Sequence, residues 1–401
     1  MIRALIAVIF AAFAITGSLA ASHISFGTYV SAAAPVGNLV SPIYFFSIIS
    51  HGILYSSVQG STYDNADTDT INRQVIPVSG TLTDLYVRAY STGGSLTLYK
   101  NGSATTLSCT TSSGTCNDAG PPVSVTAGDL LSFVGTTNQT SVGMKFEASS
   151  GQHQPLMTGA VVCPASTCYQ PLNGANLGGL TAIGTAEIIL PTDGVIDHLY
   201  VNLYNTVPSG TVVTLVKNGS DAALTCTVAS SGSTCTDLSN SVSFSAGDKV
   251  VLKTTAAGGN ATGGISVRWT PTTTGEAIVA YTNLGYSITN NATRYSNFVY
   301  RFEASEYANI ISYASTVKKL RVDFTTAPSS GKSYAFTVRK GNGASQSDTS
   351  VTCTISNTAT SCNDASNTTT LTAGQAIDLK SIPSGTPTNP GNNWFSMVVT
   401  P

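Results

Sequence analysis

The chain has 401 residues and a formal net charge of −2, and charged side chains make up 9% of it, against about 25% in ordinary soluble domains. The length is enough for roughly two to four domains. A nucleic-acid surface needs clustered Lys and Arg, and the sequence has no basic run, so nucleic acid is excluded as a partner. The polar surface must come from Ser, Thr, Asn and Gly, a composition common in extracellular modules and in proteins that assemble.

The first residues predict a secretory signal peptide over 1–21. Arg3 precedes an apolar run from Ala4 to Ile15, and small residues follow, which is the order of regions in a signal peptide. The apolar run falls short of the roughly 20 residues that a membrane-spanning helix needs, although a short anchor is the alternative. We expect cleavage after Ala20 or Ala21, no transmembrane anchor in the mature chain, and a secreted, extracellular or cell-surface location.

One pattern of segments occurs three times in the rest of the chain. Gly80 to Gly102, Gly194 to Gly219 and Ser315 to Gly343 match one another, and each is followed by a cysteine pair, an Ala-Gly-Asp or Ala-Gly-Gln turn and a closing alternating strand. Each copy is long enough to be a domain rather than a solenoid unit. With boundaries in the linker-like stretches "ASSGQHQ" and "TPTTTGE", the predicted domains are 22–149, 150–271 and 272–401.

The local patterns predict strands throughout. "LYVRAY", "LYVNLY" and "LRVDF" alternate apolar and polar residues with period two, which indicates half-buried strands. The Asn-Gly pairs suit the positive φ angles of tight hairpins, and no window beyond the signal peptide has convincing helical periodicity. Many short strands separated by turn residues predict an all-β fold of three tandem antiparallel β-sandwich, jelly-roll-like domains.

The order of turns and strands resembles the second half of the tumour-necrosis-factor-like jelly roll. That family includes the globular heads of complement-type collagens and the collagen-tipped proteins of spore coats and phages. The resemblance covers about half of each domain and implies extracellular binding or structural heads that associate in threes, so one chain with three copies would either mimic a trimer or string the copies out. The residues that carry it are Lys100-Asn101-Gly102 with Ala127-Gly128-Asp129, Lys217-Asn218-Gly219 with Ala246-Gly247-Asp248, and the divergent Lys340-Gly341-Asn342-Gly343 with Ala373-Gly374-Gln375.

The eight cysteines form four close pairs, three of which recur at the same place in the repeats. A zinc site would need further converging ligands, and none of the histidines recurs. A redox pair would need Cys-x-x-Cys spacing, whereas export to an oxidising compartment favours disulfides. We predict that each repeated pair closes one hairpin and that the remaining pair clips the start of the second domain: Cys109–Cys116, Cys226–Cys235, Cys353–Cys362 and Cys163–Cys168.

Two sets of aspartates are candidate sites. Asp64, Asp67 and Asp69 lie close together, and clustered oxygens suit calcium. The stretch lacks the glycine and closing glutamate of an EF-hand loop, so an Asx-rich surface turn is the favoured alternative, and no other cofactor is expected. The second set follows the second cysteine of each repeated pair and is interpreted as turn-capping, with ligand binding as the alternative: Asp118, Asp237 and Asp364.

Motifs for catalysis are absent from the sequence. It contains no nucleophile elbow, P-loop, dinucleotide fingerprint or His-Glu-x-x-His. The glutamates are scattered, and none recurs in all three copies as a catalytic pair of carboxylates. We therefore predict that the protein is not an enzyme. The aromatic residues in or beside the closing strands, Phe146, Trp269 and Trp394, are interpreted as core rather than as platforms for sugar rings.

The sequence therefore predicts a secreted, non-enzymatic structural or surface protein that is part of an extracellular or virion-like assembly. Its expected partners are further copies of itself or surface glycans and proteins. A carbohydrate-binding or adhesive protein is the alternative function, and a secreted hydrolase is the third.

Overall fold

Strands dominate the described part of the chain. The only helical element there is the three-residue 3-10 turn Ile183–Thr185, and no helix there is long and apolar enough to cross a membrane. The predicted signal peptide and the candidate calcium residues Asp64, Asp67 and Asp69 lie outside the described residues. The computed structural model describes residues 40–47, 54–56, 58–62, 73–89, 94–111, 114–136, 140–158, 161–163, 166–174, 180–207, 210–256, 261–282, 288–298, 302–306, 308–342 and 345–401.

The first sandwich lies between residues 40 and 148. Its strands are β1 (Val40–Ser47), β2 (Leu54–Ser56), β3 (Gly60–Thr62), β4 (Gln74–Val75), β5 (Gly80–Ala89), β6 (Gly94–Lys100), β7 (Ser103–Thr111), β8 (Gly114–Asp118), β9 (Val123–Val125), β10 (Leu130–Gly135) and β11 (Thr140–Ala148). One sheet has the order β3-β1-β11-β5-β8, with β9 also on β5, and the other has β2-β10-β6-β7, with β4 on β10. Only β1 and β3 pair in parallel among these strands.

The second sandwich lies between residues 154 and 271. Its strands are β12 (Gln154–Met157), β13 (Val161–Cys163), β14 (Thr167–Gln170), β15 (Ile188–Ile189), β16 (Gly194–Leu203), β17 (Thr211–Lys217), β18 (Ser220–Val228), β19 (Thr234–Phe244), β20 (Lys249–Thr255) and β21 (Ala261–Pro271). The sheet orders are β12-β21-β16-β19, with β13 on β21, and β14-β20-β17-β18, with β15 on β20.

The third sandwich lies between residues 277 and 400. Its strands are β22 (Ala277–Thr282), β23 (Arg294–Ser296), β24 (Asn309–Ile310), β25 (Ser315–Phe324), β26 (Ser329–Gly341), β27 (Ser347–Asn357), β28 (Ser361–Leu371), β29 (Ala376–Ser384) and β30 (Asn393–Thr400). The sheet orders are β22-β30-β25-β28 and β23-β29-β26-β27, with β24 on β29.

All three sandwiches have one strand order. The eight main strands of each sandwich can be lettered A to H in chain order, leaving out the short strands β3, β4, β9, β13, β15 and β24. One sheet then has the order A-H-C-F and the other has the order B-G-D-E. This is the two-sheet arrangement of an eight-stranded jelly roll. The predicted fold class, all-β with tandem antiparallel jelly-roll-like sandwiches, is therefore confirmed.

The strand at position C of each sandwich, β5, β16 or β25, contains the same β-bulge. Its burial alternates as the sequence predicts, except for two successive half-buried residues in the middle. The second of these has a positive φ in every copy: 53° at Asp84, 52° at His198 and 55° at Lys319. A bulge re-aims side chains. In the third copy Lys319 reaches Thr192 of the second sandwich, whereas Asp84 pairs with Lys145 of its own sandwich.

Each sandwich encloses its own hydrophobic core. The predicted core aromatics are buried, with Phe146 and Trp269 at 0% and Trp394 at 1% exposure, so none of them offers a face to a sugar ring. Two of the strands at position A, β12 and β22, are shared between cores. Adjacent residues of β22 illustrate this, because Ile278 packs in the second core and Val279 in the third.

The three sandwiches close into a ring. Strand β4 lies against β21, β15 lies against β30, and β24 lies against β11, so each sandwich contacts both of the others. We name these contact regions seam 1–2, seam 2–3 and seam 3–1. The Ala-Gly turns follow the same cycle, because Gly128, Gly247 and Gly374 face Tyr200, Arg321 and Tyr86, which occupy one equivalent position in the three bulged strands. A single chain thus builds the arrangement of a trimer.

Candidate functional site

All four predicted cysteine pairs are bonded, with Cα–Cα distances of 5.6 to 5.9 Å. The predicted hairpin closure is wrong, however. Cys109 lies on β7 and Cys116 on β8, which belong to opposite sheets, and the same holds for the other three pairs. The chain crosses from one sheet to the other between the cysteines, so each disulfide ties the two sheets together at the edge of the sandwich.

The repeated aspartates bind backbone amides of the strand before the crossing. Asp118 accepts from Ser108 N at 2.7 Å, and the equivalent bonds run from Thr225 N to Asp237 at 3.0 Å and from Thr352 N to Asp364 at 2.9 Å. In each copy the other carboxylate oxygen accepts a local backbone amide. Both oxygens of each carboxylate therefore accept hydrogen bonds from the protein itself. The amides that they bind belong to an edge strand, where unpaired amides would offer a template for the addition of another strand.

Burial alone would raise the pKa of Asp237 and of Asp364. The hydrogen bonds these carboxylates accept outweigh burial, so both pKa values are lowered. The charged form is the one the amides bind.

The turn residues that carry the family resemblance bind one another. Asn101 Nδ2 donates to Asp129 Oδ1 at 2.8 Å, and Leu130 N donates to Asn101 Oδ1 at 2.8 Å. Asn218 and Asp248 repeat the contact at 2.7 Å. In the first two copies, therefore, hydrogen bonds join the two turns of the motif at the end of the sandwich. In all three copies the motif lysine donates to a backbone carbonyl of the facing sheet, as seen for Lys100, Lys217 and Lys340.

Further polar contacts are made by side chains at the bulges. In the second sandwich Asp197 holds Arg268 through two hydrogen bonds of 2.7 Å. In the third, Lys318 and Lys319 both contact the buried carboxylate of Glu276, at 3.0 and 2.8 Å. Sequence reasoning missed this cluster, although the adjacent polar pairs interrupt the alternation of the strand and were a usable signal.

Seam 2–3 contains several charged side chains, whereas the hydrogen bonds described at the other two seams join neutral groups. At seam 1–2 Gln74 Nε2 of the first sandwich donates to Thr158 O of the second, and Met157 N of the second donates to Gln59 Oε1 at 2.8 Å. At seam 3–1 Ile310 N donates to Ser141 Oγ at 3.0 Å. The three seams therefore differ in chemistry, and the contacts of one would not suit another.

The charges of seam 2–3 are partly buried. Lys249 Nζ lies 3.4 Å from the centroid of the Trp394 ring, a cation–π contact. Burial lowers the pKa of Lys249 and raises the pKa of Glu187 beside it. Burial also acts to raise the pKa of Glu276, but bonds from Lys319, Thr192 and Lys318 lower it overall. Glu276 is therefore ionised at neutral pH, and it accepts hydrogen bonds from Thr192 of the second sandwich and from Lys319 of the third.

A cleft of about 260 Å³ opens at this seam. Its walls come from the Pro191–Asp193 segment and Ala246 of the second sandwich, the connecting Thr273, and Lys319, Arg321 and 363–365 of the third. The cleft is the candidate site because it combines a concave shape with polar groups from both sandwiches.

The third sandwich also buries a charged cluster away from the seams. Arg339 contacts Glu306 at 2.7 Å and Asp378 at 3.8 Å. Asp378 is 0% exposed, and neither of its carboxylate oxygens has a hydrogen-bond partner. Burial raises its pKa from 3.8 to about 7, although Arg339 pulls the value back down. Nothing in the repeats pointed to this group.

Among the residues that the structure describes, no three His, Cys, Asp or Glu side chains are grouped so that they could hold a metal ion. Comparison with protein-family models and with curated proteins gave no match. The fold and its seams define the class: a disulfide-tied, all-β protein of jelly rolls closed into a ring. Its disulfide-rich fold is compatible with a secreted structural protein.

Proposed function

We propose that the protein is a secreted, non-enzymatic structural or surface protein and that its three jelly rolls act as one pre-assembled trimeric head in an extracellular or virion-like assembly. The observation that carries this proposal is the closed ring of seams. Three separate chains would lose translational and rotational freedom on forming such a ring. Linking the sandwiches in one chain removes that cost and sets the stoichiometry at one copy of each.

Two further features support the proposal. The disulfides tie sheet to sheet in every sandwich, which suits an oxidising compartment and a head exposed to mechanical or proteolytic stress. The ring also supports the proposed likeness to tumour-necrosis-factor-like heads, which associate in threes. Self-association through the outside of the ring, or contact with a surface glycan or protein, would place the head in its assembly.

The test is imaging of the full chain and of its native source. The purified protein is measured by light scattering and electron microscopy, and the native particle or cell surface is labelled with an antibody to the protein. We expect single-chain rings that build ordered oligomers or filaments, and regular labelling at the surface. Turnover of substrates in a broad hydrolase panel, abolished by one side-chain substitution, would overturn the non-enzymatic proposal. Monomers alone, with label confined to the cell interior, would overturn the structural one.

A further inference from the structure

We propose that the cleft of seam 2–3 binds a single neutral sugar ring. This binding activity goes beyond the structural role above and does not depend on it. The cleft holds about 260 Å³, a little below the roughly 300–1,000 Å³ of pockets for drug-sized ligands. That volume suits one ring of a glycan, with the rest of the glycan outside.

Several polar groups of the cleft are already committed to the fold. Asp364 accepts backbone amides with both oxygens. Lys319 is held by Glu276 and Thr192. These groups shape the wall, and they are not free to change partners when a ligand arrives.

Three other side chains of the cleft keep hydrogen-bonding capacity. One carboxylate oxygen of Asp193 accepts a hydrogen bond from Ala246 N at 2.7 Å, and the residue is exposed to solvent. Asn363 is exposed. In the described part of the chain, Arg321 contacts Asp323 through Nε and Nη2, at 3.2 and 3.4 Å, and these contacts leave its Nη1 donors for a ligand. The cleft therefore offers a carboxylate acceptor, guanidinium donors and an amide that does both.

This set matches vicinal hydroxyl groups. Each hydroxyl donates one hydrogen bond and accepts others, so a diol can donate to Asp193 while accepting from Arg321 and Asn363. Pro191, Ala246 and Ala365 add apolar surface against which the C–H face of a sugar ring can pack. The aromatic platforms considered from the sequence are buried, so the recognition is by polar side chains.

The charge balance argues against an ionic ligand. The lining contains two cations, Lys319 and Arg321, and two carboxylates, Asp193 and Asp364. An acidic or a basic sugar would therefore meet as much repulsion as attraction. The equivalent positions to Arg321 at the other seams are Tyr200 and Tyr86, so the same donor set is not repeated there.

The experiment is ligand-observed saturation-transfer NMR on the full chain. The probes are neutral hexoses, glucuronic acid and glucosamine. We expect weak, millimolar binding of at least one neutral hexose, with transfer to its ring protons. Asp193→Asn and Asn363→Ala should each weaken binding about five- to tenfold, because each removes hydrogen bonds to the ligand.

The matched control is Asn117→Ala. Asn117 occupies the place of Asn363 in the first sandwich, directly after the second cysteine, and its replacement should leave binding unchanged. Thermal unfolding verifies that each variant is folded. Absence of transfer to every neutral hexose, unchanged binding in Asn363→Ala, or preference for a charged sugar would each overturn the proposal. None of these outcomes touches the structural role, which rests on imaging.

Discussion

At the scale of single residues, the least satisfied group in the described part of the chain is the carboxylate of Asp378. It lies on β29 opposite Arg339 in the register of β26. Arg339 already has Glu306 as a closer partner. A buried carboxylate without hydrogen bonds is costly when ionised, so this side chain lowers the stability of the fold at neutral and higher pH.

We predict that Asp378→Asn stabilises the protein above pH 7 by about 1–3 kcal/mol. The folded pKa of about 7 lies above the ordinary 3.8, so stability from this group is full below pH 4 and is lost as pH rises to 7. Chemical denaturation between pH 4 and 8 should show this loss in the wild type and not in the variant. Asp348→Asn, at a half-exposed carboxylate of the same cluster, should have a smaller effect. Destabilisation by Asp378→Asn at pH 8 would show that Arg339 requires the charge.

For the repeated aspartates we predict the opposite effect of replacing the carboxylate, namely a loss of stability. Replacing Asp237 with alanine removes the acceptor of the Thr225 amide on an edge strand, and we expect a loss of about 1–2 kcal/mol in unfolding free energy. Because its folded pKa is lowered, the contribution is present above the unfolded pKa and disappears as the pH falls through the folded pKa. Urea titrations at pH 7 and at acidic pH measure it. The control is Asp221→Ala, which removes an exposed ion pair with Lys253. Equal losses in both variants would contradict a special role for Asp237.

At the scale of elements, the ring depends on close backbone approach between strands of different sandwiches. A Cβ on Gly143 of β11 would lie 2.3 Å from Ile310 O of β24. No real Cβ tolerates that distance, and a backbone carbonyl cannot move away cheaply. The glycine is therefore needed for seam 3–1 and not for the sheet in which it lies.

We predict that Gly143→Ala opens seam 3–1 and costs about 1–3 kcal/mol, while the first sandwich stays folded. Hydrogen exchange should show faster exchange of the β24 amides, with the β5 and β6 amides little changed. The control is Ser396→Ala, at the equivalent place in β30, because that site already carries a Cβ and the hydroxyl has no hydrogen-bond partner. If Gly143→Ala exchanges like the wild type, the seam adjusts more easily than the contact distance indicates.

At the scale of the whole molecule, the seams should respond differently to salt. Seam 2–3 has Glu276 held by two lysines, and the lysines are partly exposed. The hydrogen bonds described at the other seams join neutral groups. At 1 M salt the screening length is about 3 Å, so the partly exposed lysines lose part of their attraction to the buried Glu276, while amide contacts do not change.

We predict that the ring loosens first at seam 2–3 in high salt. Hydrogen exchange in 0.1 M and 1 M sodium chloride, concentrations that span a screening length of about 10 to 3 Å, should reveal faster exchange in β15 and β30 than in β4 and β24. Glu276→Gln should produce the same difference at low salt. Uniform loosening of all three seams would contradict the assignment of charge to one of them.

Local pattern was enough for much of the fold. The alternation in "LYVRAY" predicted the strands, because a strand with one buried face alternates apolar and polar residues along the chain. The bulge at Asp84, His198 and Lys319 was not predicted, since none of these residues is a glycine that would announce a positive φ. The role of Asp378 also escaped prediction, because its burial depends on chain segments far away in sequence.

The sequence by itself determined the all-β class, the three repeats and the partner of every cysteine. These properties follow from short-range periodicity and from spacing that recurs in each copy. Only the tertiary structure decided that the cysteines join opposite sheets, that the sandwiches close into a ring, and that Asp193 and Asn363 face one cleft. Those outcomes depend on contacts between residues distant in the chain, and no local pattern encodes which distant surfaces will meet.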